Sequence, residues 1–216
     1  MILNITVCFF VIAHLTVFKI DVWYYLAKEI IMDAIKNLTE RSSSGRLAPP
    51  IPSREELELV YRAALRAPDH KNLKPSRFIE VSGNGLTKLS NIFVEFAKQN
   101  LSDKGEEQIE KYKRMPYRSP LIIILVSAFK QEKGVPEIEQ MMSTACSAQS
   151  MLLALNALNY SGMWRTGKLS FNRSISNLLG LADNESVIGY LYVGTNVGPE
   201  KKIETPDSNN FVEIWD

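Results

Sequence analysis

The chain is poor in the residues that build metal sites and crosslinks: of 216 residues, two are cysteines (Cys8 and Cys146) and two are histidines (His14 and His70). Two thiols cannot form a disulfide framework, and their scarcity points to a reducing compartment, here the cytoplasm. Two histidines so far apart in sequence exclude the ligand spacings of zinc motifs, so no metal is expected. Charge of neither sign dominates. Lys and Arg number 25 and Asp and Glu 24, a formal net charge of +1, so no global field draws the chain to nucleic acid or to an anionic membrane. There is no internal repeat, no low-complexity tract, and neither a Ser-His-Asp pattern nor a carboxylate pair for nucleophilic or acid–base catalysis. What remains is ordinary globular composition, 45% hydrophobic and 23% charged, at a length that suits one large domain with a core of normal size.

The chain opens on an almost uncharged apolar run, MILNITVCFFVIAHLTVF. A membrane-spanning helix needs roughly 20 predominantly apolar residues; this run barely qualifies, and Asn4, Thr6, His14 and Thr16 weaken it. No basic segment precedes it and no small-residue cleavage site follows, so it makes a poor signal peptide. Three readings compete: a membrane anchor, a peripheral helix, and a start codon set too far upstream. The third is favoured, because Met32 opens a plausible domain by itself. Residues 1–31 are thus read as an extension and 32–216 as the domain.

The pattern from Lys28 to Leu38 is helical, with Ile31, Ala34, Ile35 and Leu38 on one face. ERSSSGRLAPPIPS (40–53) reads as a polar, Pro-rich loop. Ser53 and Glu56 form a capping box that opens a helix to about Arg66, with Leu57, Val60, Tyr61 and Ala64 inward. Pro68 and Pro75 break regular structure in RAPDHKNLKPS. RFIEVSG (77–83) predicts a strand, and residues 85–100 and 105–113 predict helices. The continuous apolar run SPLIIILVSA (119–128) predicts a strand buried on both faces. Residues 137–160, rich in Met, Leu and Ala, predict the longest helix, apolar nearly all round and central. A short helix near 173–180, a buried strand VIGYLYVGT (187–195) and a polar tail ending in FVEIW complete the chain. The strands do not alternate with single crossover helices, which argues against a doubly wound sheet.

GMWRTGKLS (162–170) nearly spells a nucleotide-binding P-loop, G-x-x-x-x-G-K-[ST], but its eighth position is Leu169. A P-loop needs a strand before its glycines, a helix after the Lys, and a hydroxyl for Mg²⁺. The preceding MLLALNALNYS has helical period instead, so the ATPase reading is rejected. A bland alternative makes the segment a helix–strand connection, with Gly162 as C-cap and Trp164 in the core. That leaves Arg165 and Thr166 without a role. Three other loops, ERSSSGR (40–46), RAPDHK (66–71) and KPSR (74–77), also carry cations and hydroxyls at element ends. Such groups suit a phosphate, each charge-assisted bond contributing ~1.5–3 kcal/mol. Singly each reads as a solvated loop, or for His70 a helix-end cap. Together they exceed what a generic domain needs.

In this combination the chain resembles the nitroreductase family of FMN enzymes, and within it a compact bacterial YdjA-like branch. The family's RRS-x-x-R resembles RSSSGR (41–46), preceded by MDAIKNLTER from Met32; RAPDHK-x-x-QPW resembles RAPDHKNLKPS; P-F/Y-R-x-P-L-I-I resembles MPYRSPLIII (115–124). VPEIEQMMSTACSAQSMLLAL is similar to the family's long helix, G-x-W-R-[ST]-G to GMWRTG (162–167), and the late strand to VIGYLYVGT. The likeness runs from Met32 to about Thr195. It implies an α+β fold, a mixed central sheet surrounded by helices, and an obligate homodimer with FMN at the interface. Carried over by position, Arg41, Ser42, Ser43, Arg66, His70, Lys74, Trp164, Arg165 and Thr166 would bind FMN. NAD(P)H, as co-substrate, would meet Ala154, Leu155, Asn156, Ala157, Leu158 and Asn159. The implied reaction is NAD(P)H-driven, ping-pong reduction of nitroaromatic, quinone or similar electron-poor acceptors, with no side chain as nucleophile.

Three positions depart from the family pattern: Ser42 for a second Arg, Lys74 for Gln, and Ser76 for an aromatic. They keep open a non-enzymatic flavin-binding protein with a decayed site. A reductive dehalogenase on the same fold is a further alternative, although the RAPDHK and GMWRTG blocks favour the YdjA-like branch.

Overall fold

The computed structural model describes residues 33–101 and 105–215. The apolar extension, and with it the anchor, peripheral-helix and upstream-start readings, lies outside the described residues. Among the described residues no helix is long and apolar enough to cross a membrane. A short helix, α1 (Ala34–Glu40), follows Asp33, whose carboxylate accepts from the Lys36 amide at 2.8 Å. Ile35 and Leu38 on this helix are exposed.

From Glu40 onward the chain forms a second compact unit. Its elements are β1 (Leu47–Ala48), α2 (Arg54–Ala64), β2 (Ser76–Ser82), α3 (Asn84–Asn100), α4 (Glu106–Arg114), β3 (Leu121–Ala128), α5 (Glu137–Ala157), β4 (Ser161–Arg165), α6 (Arg173–Leu178) and β5 (Glu185–Asn196). The strands run β2–β3–β5–β4, with β1 joined to the far end of β5. Every described pairing is antiparallel, so the sheet is antiparallel where a mixed one was predicted. The α+β class stands.

The apolar run of β3 is buried on both faces because successive side chains point to opposite sides. Ile122, Ile124 and Val126 pack with Leu89, Phe93 and Phe96 of α3; Leu121, Ile123 and Leu125 pack with Leu57 and Val60 of α2 and Met151 and Leu155 of α5. The capping box that opens α2 is present: Glu56 N donates to Ser53 Oγ (3.2 Å) and Ser53 N to Glu56 Oε2 (2.7 Å). The same carboxylate accepts from Tyr160 Oη at 3.0 Å, tying the end of α5 to the start of α2.

Helix α5 departs from its predicted all-round apolarity. Its first half buries Gln140, Ser143, Thr144 and Ser147, while Ile138 and Met142 face outward. The buried groups satisfy one another or the backbone: Ser127 Oγ donates to Thr144 Oγ1 (2.9 Å), Thr144 to Gln140 O (3.2 Å), and the Gln140 amide brackets the Lys130 backbone with two 2.9 Å bonds. The helix also stops short of the predicted 160. Asn159 adopts φ +62° and the Tyr160 amide bonds back to Leu155 O at 2.8 Å, so Asn159 takes the left-handed capping role proposed for Gly162. Gly162 instead lies inside β4, where an added Cβ would fall 2.8 Å from Leu152 Cδ2.

Phe93 is fully buried and meets Tyr190 edge-on at 5.3 Å between centroids. Phe93→Ala is predicted to cost about 3–5 kcal/mol, read from urea denaturation; a loss under about 1 kcal/mol would contradict this packing. Arg77 and Glu185 join β2 to β5 by a two-pronged bond, Nε–Oε1 2.6 Å and Nη2–Oε2 2.9 Å. That bond, with the Ala182 amide, holds the Glu185 carboxyl below its usual pKa. A depressed folded-state pKa contributes stability above the unfolded value, about 4.3, and the contribution is lost as pH falls through the folded value. Glu185→Gln should therefore lower the melting temperature at pH 7 and converge with the parent near pH 3. An offset that does not change with pH would contradict the linkage.

Candidate functional site

Strand β4 forms the sheet edge beyond β5, and its last two residues are Trp164 and Arg165. The Arg165 guanidinium lies 5.3 Å from the Tyr192 ring centroid. Burial, and secondarily the neighbouring Arg118 charge, lowers the Arg165 pKa. Burial raises the Tyr192 pKa to about 12 against the opposing pull of both arginines. Arg118 carried no site role in the sequence reading. The available signal was a cation two residues ahead of the run Pro120–Val126.

Among the described residues, four buried side-chain polar atoms have no hydrogen-bond partner: Arg165 Nε, Trp164 Nε1, Ser170 Oγ and Arg41 Nη1. Three belong to the 164–170 segment. The fourth heads loop 41–46, whose Gly45 faces β4; a Cβ there would lie 3.6 Å from Met163 Cε and 3.8 Å from Arg165 Nη2. This loop is stitched to the end of β5 by Ser44 Oγ donating to Asn196 Oδ1 (2.6 Å) and Val197 N donating to Arg46 O (3.0 Å). Ser42 and Ser43 lie half-buried within it. Leaving a buried donor unpaired costs ~1–3 kcal/mol, more for a charged one. The two orphaned guanidinium nitrogens, one of them on the loop that also carries Ser42 and Ser43, are the kind of donor from which a phosphate ester accepts.

Thr166 and Gly167 (φ +95°) turn the chain outward after Arg165. Leu169, the odd letter in the P-loop spelling, is 7% exposed, packs in the core, and its carbonyl accepts from Tyr190 Oη at 3.0 Å. A strand–turn–helix order does exist here, against the sequence reading. Yet Gly162 is inside the strand and α6 starts only at Arg173, so the backbone cradle of a P-loop is missing.

Sequence reasoning missed Gly189. Between Leu125 and Val126 of β3 the register on β5 jumps from Gly189 to Val187, a bulge at Ile188. An added Cβ at Gly189 would sit 2.0 Å from Trp164 Nε1 and 3.0 Å from Arg165 O. Only a bare Cα lets the indole lie there. Gly189→Ala is predicted to displace Trp164, lowering the melting temperature and the near-ultraviolet circular dichroism; an unchanged spectrum would contradict this packing.

The other predicted residues lie near β2, at the opposite edge of the sheet. Asp69 accepts from the Leu73 and Lys74 amides (3.1 and 2.6 Å), His70 Nδ1 is 2.7 Å from Glu139 Oε2, and Lys71 Nζ donates to Glu132 Oε1 (2.8 Å) and Lys133 O (2.6 Å). These ties hold Lys71, Asn72 and Lys74 at φ +57°, +53° and +53°, conformations that cost of order 1 kcal/mol or more each without glycine. Arg66 and Lys74 border a cavity of about 350 Å³ floored by Ser76, Ser143 and Ser147. One chain therefore divides the predicted cofactor residues into two groups, Arg41–Ser43 with Trp164–Thr166 and Arg66–Lys74.

The 154–159 segment closes α5. Leu155 is fully buried in the core, Ala154 and Leu158 pack against it, and Asn159 caps the helix. The Leu155 side chain is core, leaving Ala157 and Asn159 as the exposed members.

The family model for the nitroreductase family matches residues 38–195. Over 185 residues the chain is 35% identical to YdjA of Escherichia coli strain K12, which its name places among the NAD(P)H nitroreductases; the match covers 85% of this chain and 100% of that protein. A nitroreductase-like protein from Bacillus cereus has the same fold at a TM-score of 0.71 and 22% identity, covering 85% of this chain and 96% of that one. A nitroreductase from Bacteroides fragilis, solved with bound FMN, aligns at a TM-score of 0.66 and 18% identity over 85% of this chain and all of that one (100%).

Proposed function

We propose, for a chain that belongs to the nitroreductase family, that it is a cytoplasmic FMN enzyme using NAD(P)H to reduce nitroaromatic, quinone or similar electron-poor acceptors. The observation that carries this reading is the pair of orphaned buried nitrogens on Arg41 and Arg165, which match the phosphate of FMN. Arg41, Ser42, Ser43, Arg165 and Thr166 would hold that phosphate, with the Arg118 charge adding to the field. Trp164, pressed against Gly189, would fix the position of Arg165. The chemistry that FMN supplies when bound is two-electron transfer between reduced nicotinamide and acceptor. For a nitro acceptor one turnover balances as NAD(P)H + H⁺ + R–NO₂ giving NAD(P)⁺ + R–NO + H₂O. No side chain here serves as nucleophile or general base; the residues bind, orient and exclude water. Nicotinamide and acceptor would use one site in turn, giving ping-pong kinetics.

The homodimer is part of the same proposal. Loop 66–74 and the Arg41–Arg165 group sit at opposite edges of one chain's sheet, so a second protomer would bring its loop to complete the first protomer's site. Exposed Ile138 and Met142 on α5, and Phe211, Val212, Ile214 and Trp215 in the tail, supply apolar surface for such an interface. Sedimentation should give a dimer, and a monomer holding full FMN occupancy would contradict the shared site.

Purified protein should be yellow and release one FMN per chain on denaturation. It should oxidise NAD(P)H with 1,4-benzoquinone or nitrobenzene, with parallel lines in double-reciprocal plots. Colourless protein that also refuses added FMN would favour the decayed flavin-site reading instead. Arg165→Gln should weaken FMN binding at least about tenfold, from the ~1.5–3 kcal/mol of a charge-assisted bond; unchanged affinity would remove Arg165 from the phosphate site.

A further inference from the structure

Loop 41–46 has no regular secondary structure, so its placement depends on what its side chains and carbonyls reach. Among the described residues, two hydrogen bonds tie it to the end of β5: Ser44 Oγ donates to Asn196 Oδ1 at 2.6 Å, and Val197 N donates to Arg46 O at 3.0 Å. Asn196 is the centre of this tie. Its Oδ1 also accepts from Gly198 N at 3.0 Å, and its Nδ2 donates to Gly198 O at 3.3 Å. A backbone amide can only donate, so Gly198 fixes the orientation of the carboxamide and presents Oδ1 to Ser44. The Arg46 amide in turn donates to Ser44 Oγ at 3.3 Å, which closes the loop on itself.

Asn196 is the last residue of β5, and Leu47 of β1 pairs with it. Tyr192, which carries the Arg165 guanidinium, lies four residues earlier, so strand alternation puts both side chains on one face. That face of β5 holds Arg165 through Tyr192 and the Arg41 loop through Asn196. The two meet at Gly45, where an added Cβ would lie 3.8 Å from Arg165 Nη2. With Ser42 in place of a second Arg, Arg41 is the one cation among residues 41–43, and its placement sets what the loop offers an anion. A loop held in its binding conformation beforehand loses less freedom when the ligand arrives. Asn196 lies one residue beyond the stretch that the family model matches, 38–195.

We propose that Asn196 is a positioning residue of the flavin site: through Ser44 it holds Arg41, Ser42 and Ser43 where the FMN phosphate would also meet Arg165. Its part is played through the loop and not by contact with the flavin. This rests on the flavin-enzyme reading above. Because the loop serves the phosphate, loss of Asn196 is felt by FMN and not by riboflavin, which has the same ring system without the phosphate.

The test titrates flavin-free, full-length protein with FMN and with riboflavin by calorimetry. Asn196→Ala, which removes three hydrogen bonds, should weaken FMN at least about fivefold and leave riboflavin within about twofold of the parent. Ser44→Ala should shift FMN in the same direction. The double variant should bind FMN no more weakly than Asn196→Ala alone, because the two side chains act as one unit. Ser44→Ala leaves the Asn196–Gly198 bonds in place and keeps the test open if Asn196→Ala does not fold. FMN affinity unchanged in the single variants, FMN and riboflavin weakened by the same factor, or losses that add in the double variant would each overturn the proposal. Failure of the flavin reading is separately visible: the parent itself would then bind FMN no more tightly than riboflavin, or would bind neither.

Discussion

The backbone of Glu185–Asn196 hydrogen-bonds with three other strands, β3 along most of its length, β4 on its other side and β1 at its end. This pairing places the phosphate-type groups. Gly189 makes room for Trp164, Tyr192 carries the Arg165 guanidinium, Tyr190 holds the Leu169 carbonyl, and Asn196 anchors the Arg41 loop through Ser44. One strand therefore sets the sheet order and aims the orphaned donors. The bulge at Ile188 is what lets a single strand do both, because it re-aims β5 midway along its length.

A stable protein keeps its buried cations paired. Arg165 is partly relieved by the face of Tyr192, but a ring quadrupole contributes only ~0.5–2 kcal/mol, and Arg118 works against it. The arrangement is tolerated because the cores on both faces of β3 are well filled, and the proposed phosphate would pair what the protein leaves unpaired. The two groups of loops solve different problems. The β4 edge presents buried, unpaired donors; the β2 edge presents exposed cations over a hydroxyl floor, on a loop locked by side-chain ties.

Much of this was legible in the sequence, and the reasons differ by element. The capping box at Ser53 and Glu56 and the buried run of β3 follow from local pattern alone, and both appear as predicted. The end of α5 did not, because Asn159 is a weaker stop signal than Gly162 and tertiary pairing drew Gly162 into β4. The buried hydroxyls of α5 were missed because the helix read as apolar nearly all round, and no periodicity shows that Ser76 and Ser127 supply their partners. Of the site, the RSSSGR and GMWRTG blocks were identifiable by resemblance. Gly189 was hidden inside an apolar strand, Arg118 inside a connecting turn, and the division of the remaining residues between two sheet edges is a property of strand order that spacing does not encode.

The central claim is that the orphaned nitrogens of Arg41 and Arg165 are reserved for a phosphate. Calorimetric titration of flavin-free protein with FMN and with riboflavin, the same ring system lacking the phosphate, tests it most directly. The account predicts that FMN binds at least about tenfold more tightly and that its advantage shrinks as salt is raised. Equal affinities for the two would mean that these guanidinium groups hold no phosphate, and the account would be wrong at its base.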